Sequence, residues 1–184
     1  MQIKDSGPAR LFFALWPETS LQQALYALAM EYPLRGKARV MRAETLHMTL
    51  QFLGQVERAR LPQVVAAAAG IALPPFGFML EQLSFWQHNR IGYAAPAGAV
   101  PALDQLARAL QKQLTDAGFQ PETRGFNPHV TLLRNVGQGL ETQAIKPLMW
   151  QVNAFVLMES VMTGREVRYQ MLHSWPLVAA AAPC

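Results

Sequence analysis

The chain has 184 residues, 51% of them apolar and 15% charged, with a formal net charge of +4 and a pI of about 9.6. That is enough apolar side chain for one compact domain, or two small lobes sharing a core, and it excludes a disordered chain. A lone cysteine, Cys184 at the last position, excludes an internal disulfide framework and a cysteine zinc cluster. The basic balance fits an anionic partner such as a phosphate ester or RNA, but it fits a mildly basic soluble protein equally well. No stretch reaches the roughly 18 uncharged apolar residues of a membrane helix. No apolar run of the signal-peptide kind precedes LFFALW, so the expected location is the cytoplasm, with no membrane association.

Arg10 to Trp16 is short, apolar and aromatic, and predicts a buried strand ending at Pro17. Thr19 or Ser20 can cap a helix over about Leu21 to Glu31, which Pro33 ends, and Leu34 to Lys37 reads as a basic loop. A strand follows over Leu46 to Leu53. Its alternation puts His47, Thr49 and Gln51 on one face and Leu46, Met48, Leu50 and Phe52 on the other. A helix from about Pro62 ends at Gly70. Phe76 to Leu83 and Ile91 to Ala95 read as strands, with Ser84 to Arg90 as the loop between them.

Pro96 to Pro101 is a candidate crossing between lobes. Val100 to Gly118 predicts a long helix, with Leu103, Leu106, Ala107, Leu110 and Leu114 at helical spacing and Gly118 closing it. The loop QPETRGFNP leads into a strand over His129 to Leu133, where His129 and Thr131 share a face. Phe155 to Met162 and Arg168 to Ser174 are the last two strands, joined by a turn at Thr163-Gly164-Arg165. Each half thus carries helices, strands and one strand bearing His-x-Thr, which signals an internal duplication.

With four His and eight Thr in the chain, two chance His-x-Thr matches arise roughly 1% of the time, so the pair is a moderately specific signal. A phosphodiester hydrolase needs a base to take a proton from water and an acid to protonate the leaving oxygen. Histidine serves either purpose near neutral pH. Each Thr hydroxyl, on the face of its His, can hold phosphate oxygens that gain charge in the transition state. Arg134, just after the second motif, adds a positive charge or is a solvated strand end. The competing chemistry is zinc held by His47, His88, His129 and His173, but the spacing matches no zinc motif. No Gly-rich phosphate loop and no G-x-S-x-G is present.

The contexts RAETLHMTLQFLGQV and GFNPHVTLLR resemble the 2H phosphoesterase superfamily, and more closely its RNA 2′,3′-cyclic phosphodiesterase branch, also called 2′-5′ RNA ligase-like. RLFFALWP, AGFQPETRGF and FVLMESVMTGREVRYQMLHSWPL extend the resemblance over about residues 10 to 177. It implies a bilobal α+β fold, with two antiparallel sheets related by a pseudo-two-fold axis across a cleft and helices outside. The expected domain is 1–177, followed by an Ala-rich tail, 178–184. The implied activity opens a 2′,3′-cyclic phosphate on RNA or a nucleotide to a 2′-phosphate, with reversible 2′-5′ joining of tRNA halves in some members. By that pattern His47 is the proton donor, His129 the acceptor, and Thr49 and Thr131 bind phosphate, with no cofactor and a monomeric state expected. Trp86 and His88 in SFWQHNR are candidate base or RNA contacts, although for Trp86 a core position is slightly favoured. The alternatives are another activity of the superfamily, such as 2′-5′ oligoadenylate cleavage, and a non-catalytic RNA-end-binding protein.

Overall fold

The structure, a computed structural model, describes residues 7–33, 36–123, 125–137, 141–164 and 166–179. Cys184, most of the Ala-rich tail, Arg165 of the expected turn, and Leu34 and Arg35 of the basic loop lie outside the described residues. Nine strands are described: β1 (Ala9–Leu15), β2 (Arg39–Val40), β3 (Met48–Val56), β4 (Phe76–Trp86), β5 (Ile91–Ala95), β6 (Val130–Arg134), β7 (Gln143–Val152), β8 (Ala154–Thr163) and β9 (Glu166–Pro176). The helices are α1 (Thr19–Met30), α2 (Leu61–Ala69) and α3 (Pro101–Asp116).

The strands form two sheets, in the orders β3-β1-β8-β9 and β2-β6-β5-β4-β7, and every pairing is antiparallel. Set aside the two-residue β2, and the orders match strand for strand: β3 with β6, β1 with β5, β8 with β4 and β9 with β7. The duplication read in the sequence is therefore present, but each sheet draws strands from both halves of the chain. The helices interlock as well. α1 follows β1 of the first sheet and packs on β2, β6 and β7 of the second, whereas α3 follows β5 of the second sheet and packs on β3 of the first.

One continuous apolar core joins the helices to the inner faces of both sheets, with Leu11, Phe13, Leu15, Phe155 and Leu157 from the first and Leu80, Ala94, Val130 and Leu132 from the second. α3 has the expected stripe, with Leu103, Leu106, Ala107, Leu110 and Leu114 all buried. Its end has a physical cause. Gly118 has φ +76°, its N–H donates to Thr115 O, and the Phe119 N–H donates to Leu114 O, a Schellman closure that favours glycine. Arg60 lies over the Phe119 ring at 4.1 Å and donates to Gly118 O.

β7 was not foreseen, and β4 runs on to Trp86, so the expected loop Ser84 to Arg90 shrinks to a tight turn. Leu110 is fully buried in α3. Leu110→Ala is expected to lower stability by about 3 kcal/mol, read as a lower urea midpoint at unchanged m-value.

Candidate active site

His47 and His129 each stand one residue before a strand, β3 and β6, that occupy equivalent places in the two sheets. Their rings are held alike. His47 Nδ1 lies 2.7 Å from Thr45 O, and His129 Nδ1 lies 2.8 Å from Asn127 O. A carbonyl only accepts, so each Nδ1 carries a proton and donates it, which leaves Nε2 of each neutral ring with a free lone pair.

Each Thr pairs with a residue of the neighbouring strand, Thr49 with Ala14 and Thr131 with Tyr93. Directly after each Thr comes a bulge, at Leu50 in β3 and at Leu132 in β6. A bulge shifts the two-residue period by one. Strict alternation puts Arg134 on the face opposite Thr131, and the bulge turns it back to the Thr131 face. Its positive charge accordingly acts on both histidines. In β3 the same shift exchanges two expected positions. Gln51 pairs with Phe13 of the core and donates to Glu122 O at 2.8 Å, while Phe52 pairs with Phe12 on the cleft face. Phe52 is thus the counterpart of Arg134. Neither Thr hydroxyl, nor the Arg134 guanidinium, bonds to another protein group among the described residues.

The histidines sit among aromatic rings, of which the sequence had named only Trp86 for the site. Trp16 stacks on His47 with centroids 5.2 Å apart and planes 3° from parallel. Phe12 and Tyr169 approach it at 5.1 Å, Tyr169 edge-on. Around His129, Trp86 meets the ring edge-on at 4.5 Å and Tyr93 at 5.7 Å. Trp86 is therefore a wall of the site rather than core, while its neighbour Phe85 packs against the core. The signal for these residues was aromatics at strand ends on the His-bearing face, which the apolar runs around them masked. His88 lies beyond Trp86, at 6.4 Å ring to ring, on the rim of a groove that also reaches His129 and Thr49. His173 packs on Trp175 of β9, and no three His, Cys, Asp or Glu side chains gather into a metal-holding group among the described residues.

Burial lowers the pKa of His47 from 6.5 to about 4, with the hydrogen bond to Thr45 opposing and the charges of His129 and Arg134 adding to the fall. Burial also lowers His129, opposed by the Asn127 hydrogen bond and reinforced by Arg134. The site's own groups are therefore two neutral imidazoles beside one guanidinium, an arrangement suited to an anion.

A family model described as LigT like Phosphoesterase matches the chain in two consecutive stretches, residues 15–93 and 94–169, each containing one His-x-Thr. The chain belongs to this family. An RNA 2′,3′-cyclic phosphodiesterase of Escherichia coli is 31% identical over 177 residues, covering 94% of this chain and 98% of the relative. Another so named, from Aeropyrum pernix, is 26% identical over 71% of this chain and 81% of its own length. The crystal structure of E. coli LigT in apo form superposes with a TM-score of 0.84 at 28% identity, over 94% of this chain and 99% of that one. The complex of E. coli LigT with 3′-AMP gives 0.83 at 28% identity, over 92% and 98%. The bilobal α+β expectation is borne out. Among the described residues no helix is long and apolar enough to cross a membrane.

Both histidines bind a proton more weakly in the folded protein than in the unfolded chain. Between pH 6.5 and about 4 the unfolded chain holds more protons, so stability falls as pH falls through that window. The urea midpoint is expected to drop across it, and to drop less in His47→Gln. An equal drop in the two proteins would count against the burial assigned to His47.

Proposed function

We propose that the protein opens 2′,3′-cyclic phosphate ends of RNA or nucleotides to 2′-phosphates, with His47 and His129 as the acid–base pair. The observation that carries this reading is the matched clamp: both Nδ1 atoms are tied to carbonyls, so both Nε2 atoms are available to one bound phosphate. The names of the relatives supply the substrate class.

In the reaction, His129 Nε2 takes a proton from water as the water oxygen bonds to phosphorus. The bond from phosphorus to the 3′ oxygen breaks in line, and His47 Nε2 gives that oxygen a proton. A 2′-phosphate and a free 3′-hydroxyl result. Thr49, Thr131 and Arg134 hold the non-bridging oxygens as they gain charge. With a 5′-hydroxyl of another RNA end, such as a tRNA half, in place of water, the same displacement forms a 2′-5′ bond without ATP.

An acid must be protonated, yet burial keeps His47 neutral near pH 7. The substrate resolves this. An anion at about 4 Å, in an effective dielectric of about 20, contributes about 4 kcal/mol, or about three pKa units. That exceeds the fall from 6.5 to about 4. The bound phosphodiester thus restores one imidazole to a proton affinity near that of free histidine, so that it can carry the proton, and the other remains the base.

The test is product analysis from an RNA bearing a 2′,3′-cyclic phosphate, with EDTA present. The 2′-phosphate is the expected product, and a 3′-phosphate or loss of turnover with EDTA would overturn the reading. His47→Ala and His129→Ala are each expected to lower kcat by roughly 10³-fold or more, because acid and base act as a unit. Arg134→Ala is expected to cost about 10²-fold in kcat/KM.

A further inference from the structure

A groove of about 680 Å³ opens off the site between β3 and α3. It begins at Thr49, Trp86 and His129 and extends to Arg108 and Gln111 of α3. This volume is within the range of cavities that take drug-sized ligands and leaves room beyond a single reacting phosphate. The groove has an aromatic end and a cationic end. Near the histidines it carries Phe52, which is 39% exposed, and Phe126. On α3, Asp104, Arg108 and Gln111 fall one turn apart and point along one stripe into it. Arg108 makes no ion pair among the described residues.

Phe52 strengthens the case. The bulge at Leu50 puts it on the cleft face in the place that Arg134 holds on the other sheet. One half of a pseudo-symmetric site thus offers a cation and the other an exposed ring on the groove side. A cyclic phosphate joins two oxygens of the same ribose, so the remainder of an RNA substrate leaves the site from that ribose, through its base and its 5′ oxygen. An exposed ring followed by a guanidinium with no ion pair among the described residues matches a base followed by the next backbone phosphate.

The geometry points to the α3 end of this groove as the subsite for the phosphodiester one nucleotide to the 5′ side of the reacting phosphate, which meets Arg108 and Gln111. The carboxylate of Asp104, one turn before Arg108, also lines the groove and opposes phosphate on that side of the guanidinium. The site then reads chain length and favours an RNA end over a mononucleotide. This inference rests on the proposed action on RNA ends for its substrate, but its test requires no turnover.

Calorimetry compares cytidine 2′-monophosphate with a dinucleotide ending in the same 2′-phosphate. Wild-type protein is expected to bind the dinucleotide about tenfold tighter, the effect of one partly exposed charge-assisted hydrogen bond. Arg108→Ala is expected to bring the two within about twofold, and to reduce the salt slope of dinucleotide binding by about 0.7. Lys112→Ala, whose ammonium pairs with Asp116 and does not line the groove, keeps the tenfold advantage. Equal binding of both ligands by wild type, or an advantage retained in Arg108→Ala, would overturn the subsite. Hydrolysis of cyclic ends with no dinucleotide advantage leaves the catalytic reading standing without it. An Arg108-dependent advantage without hydrolysis does the reverse.

Discussion

Everything the site can do depends on one repeated hydrogen bond, from the Nδ1–H of each histidine to the carbonyl two residues before it. It fixes the tautomer, sets the ring plane and leaves Nε2 for chemistry. The bond is short-range, so it can be made wherever a histidine follows an extended turn. It occurs twice, at equivalent places in the two sheets and among aromatic rings, where burial lowers the pKa of both imidazoles. On the proposed reading this desolvation tunes the site to its ligand, because a nearby anion shifts a buried imidazole more than one in water.

The interlocked topology ties together the two sheets that carry these bonds. The sheets share one core, and each of α1 and α3 covers the sheet that its preceding strand does not belong to. A displacement of one sheet against the other would disturb the packing of both helices. A buried ion pair adds a further tie within the first sheet's lobe: Arg58 bonds Glu159 through two nitrogens, at 2.6 and 3.3 Å, with the Glu159 side chain only 5% exposed. Such a pair is costly to break once formed, because it leaves a buried charge behind.

Much of this was legible in the sequence, and the limits have physical causes. The period of two holds from Leu46 to Thr49 and from His129 to Thr131, so the shared face of each His and Thr could be read directly. It fails one residue later, because a bulge is set by how two strands meet and leaves no mark on alternation. Hence Gln51 and Phe52 were exchanged, and the orientation of Arg134 could not be derived. β7 escaped because it is an edge strand: Lys146 and Pro147 interrupt its pattern, and its register against β4 breaks between Leu80 and Gln82. The α3 stripe was plain since five buried residues at helical spacing admit one reading. The aromatic surround was hidden because Trp16 and Phe12 sit in a run whose other members are core, and only the pairing of β1 with β3 shows which of them face His47.

The central claim is that both Nε2 atoms meet one phosphate while both Nδ1 atoms keep their carbonyl bonds. Nitrogen NMR of the labelled imidazoles, followed as adenosine 2′-monophosphate is added near pH 7, tests it directly. The account predicts two Nδ1–H neutral rings in the free protein, a response at Nε2 of both His47 and His129 on binding, and conversion of one ring to the imidazolium form. A response at only one ring, or loss of either Nδ1 proton, would contradict it.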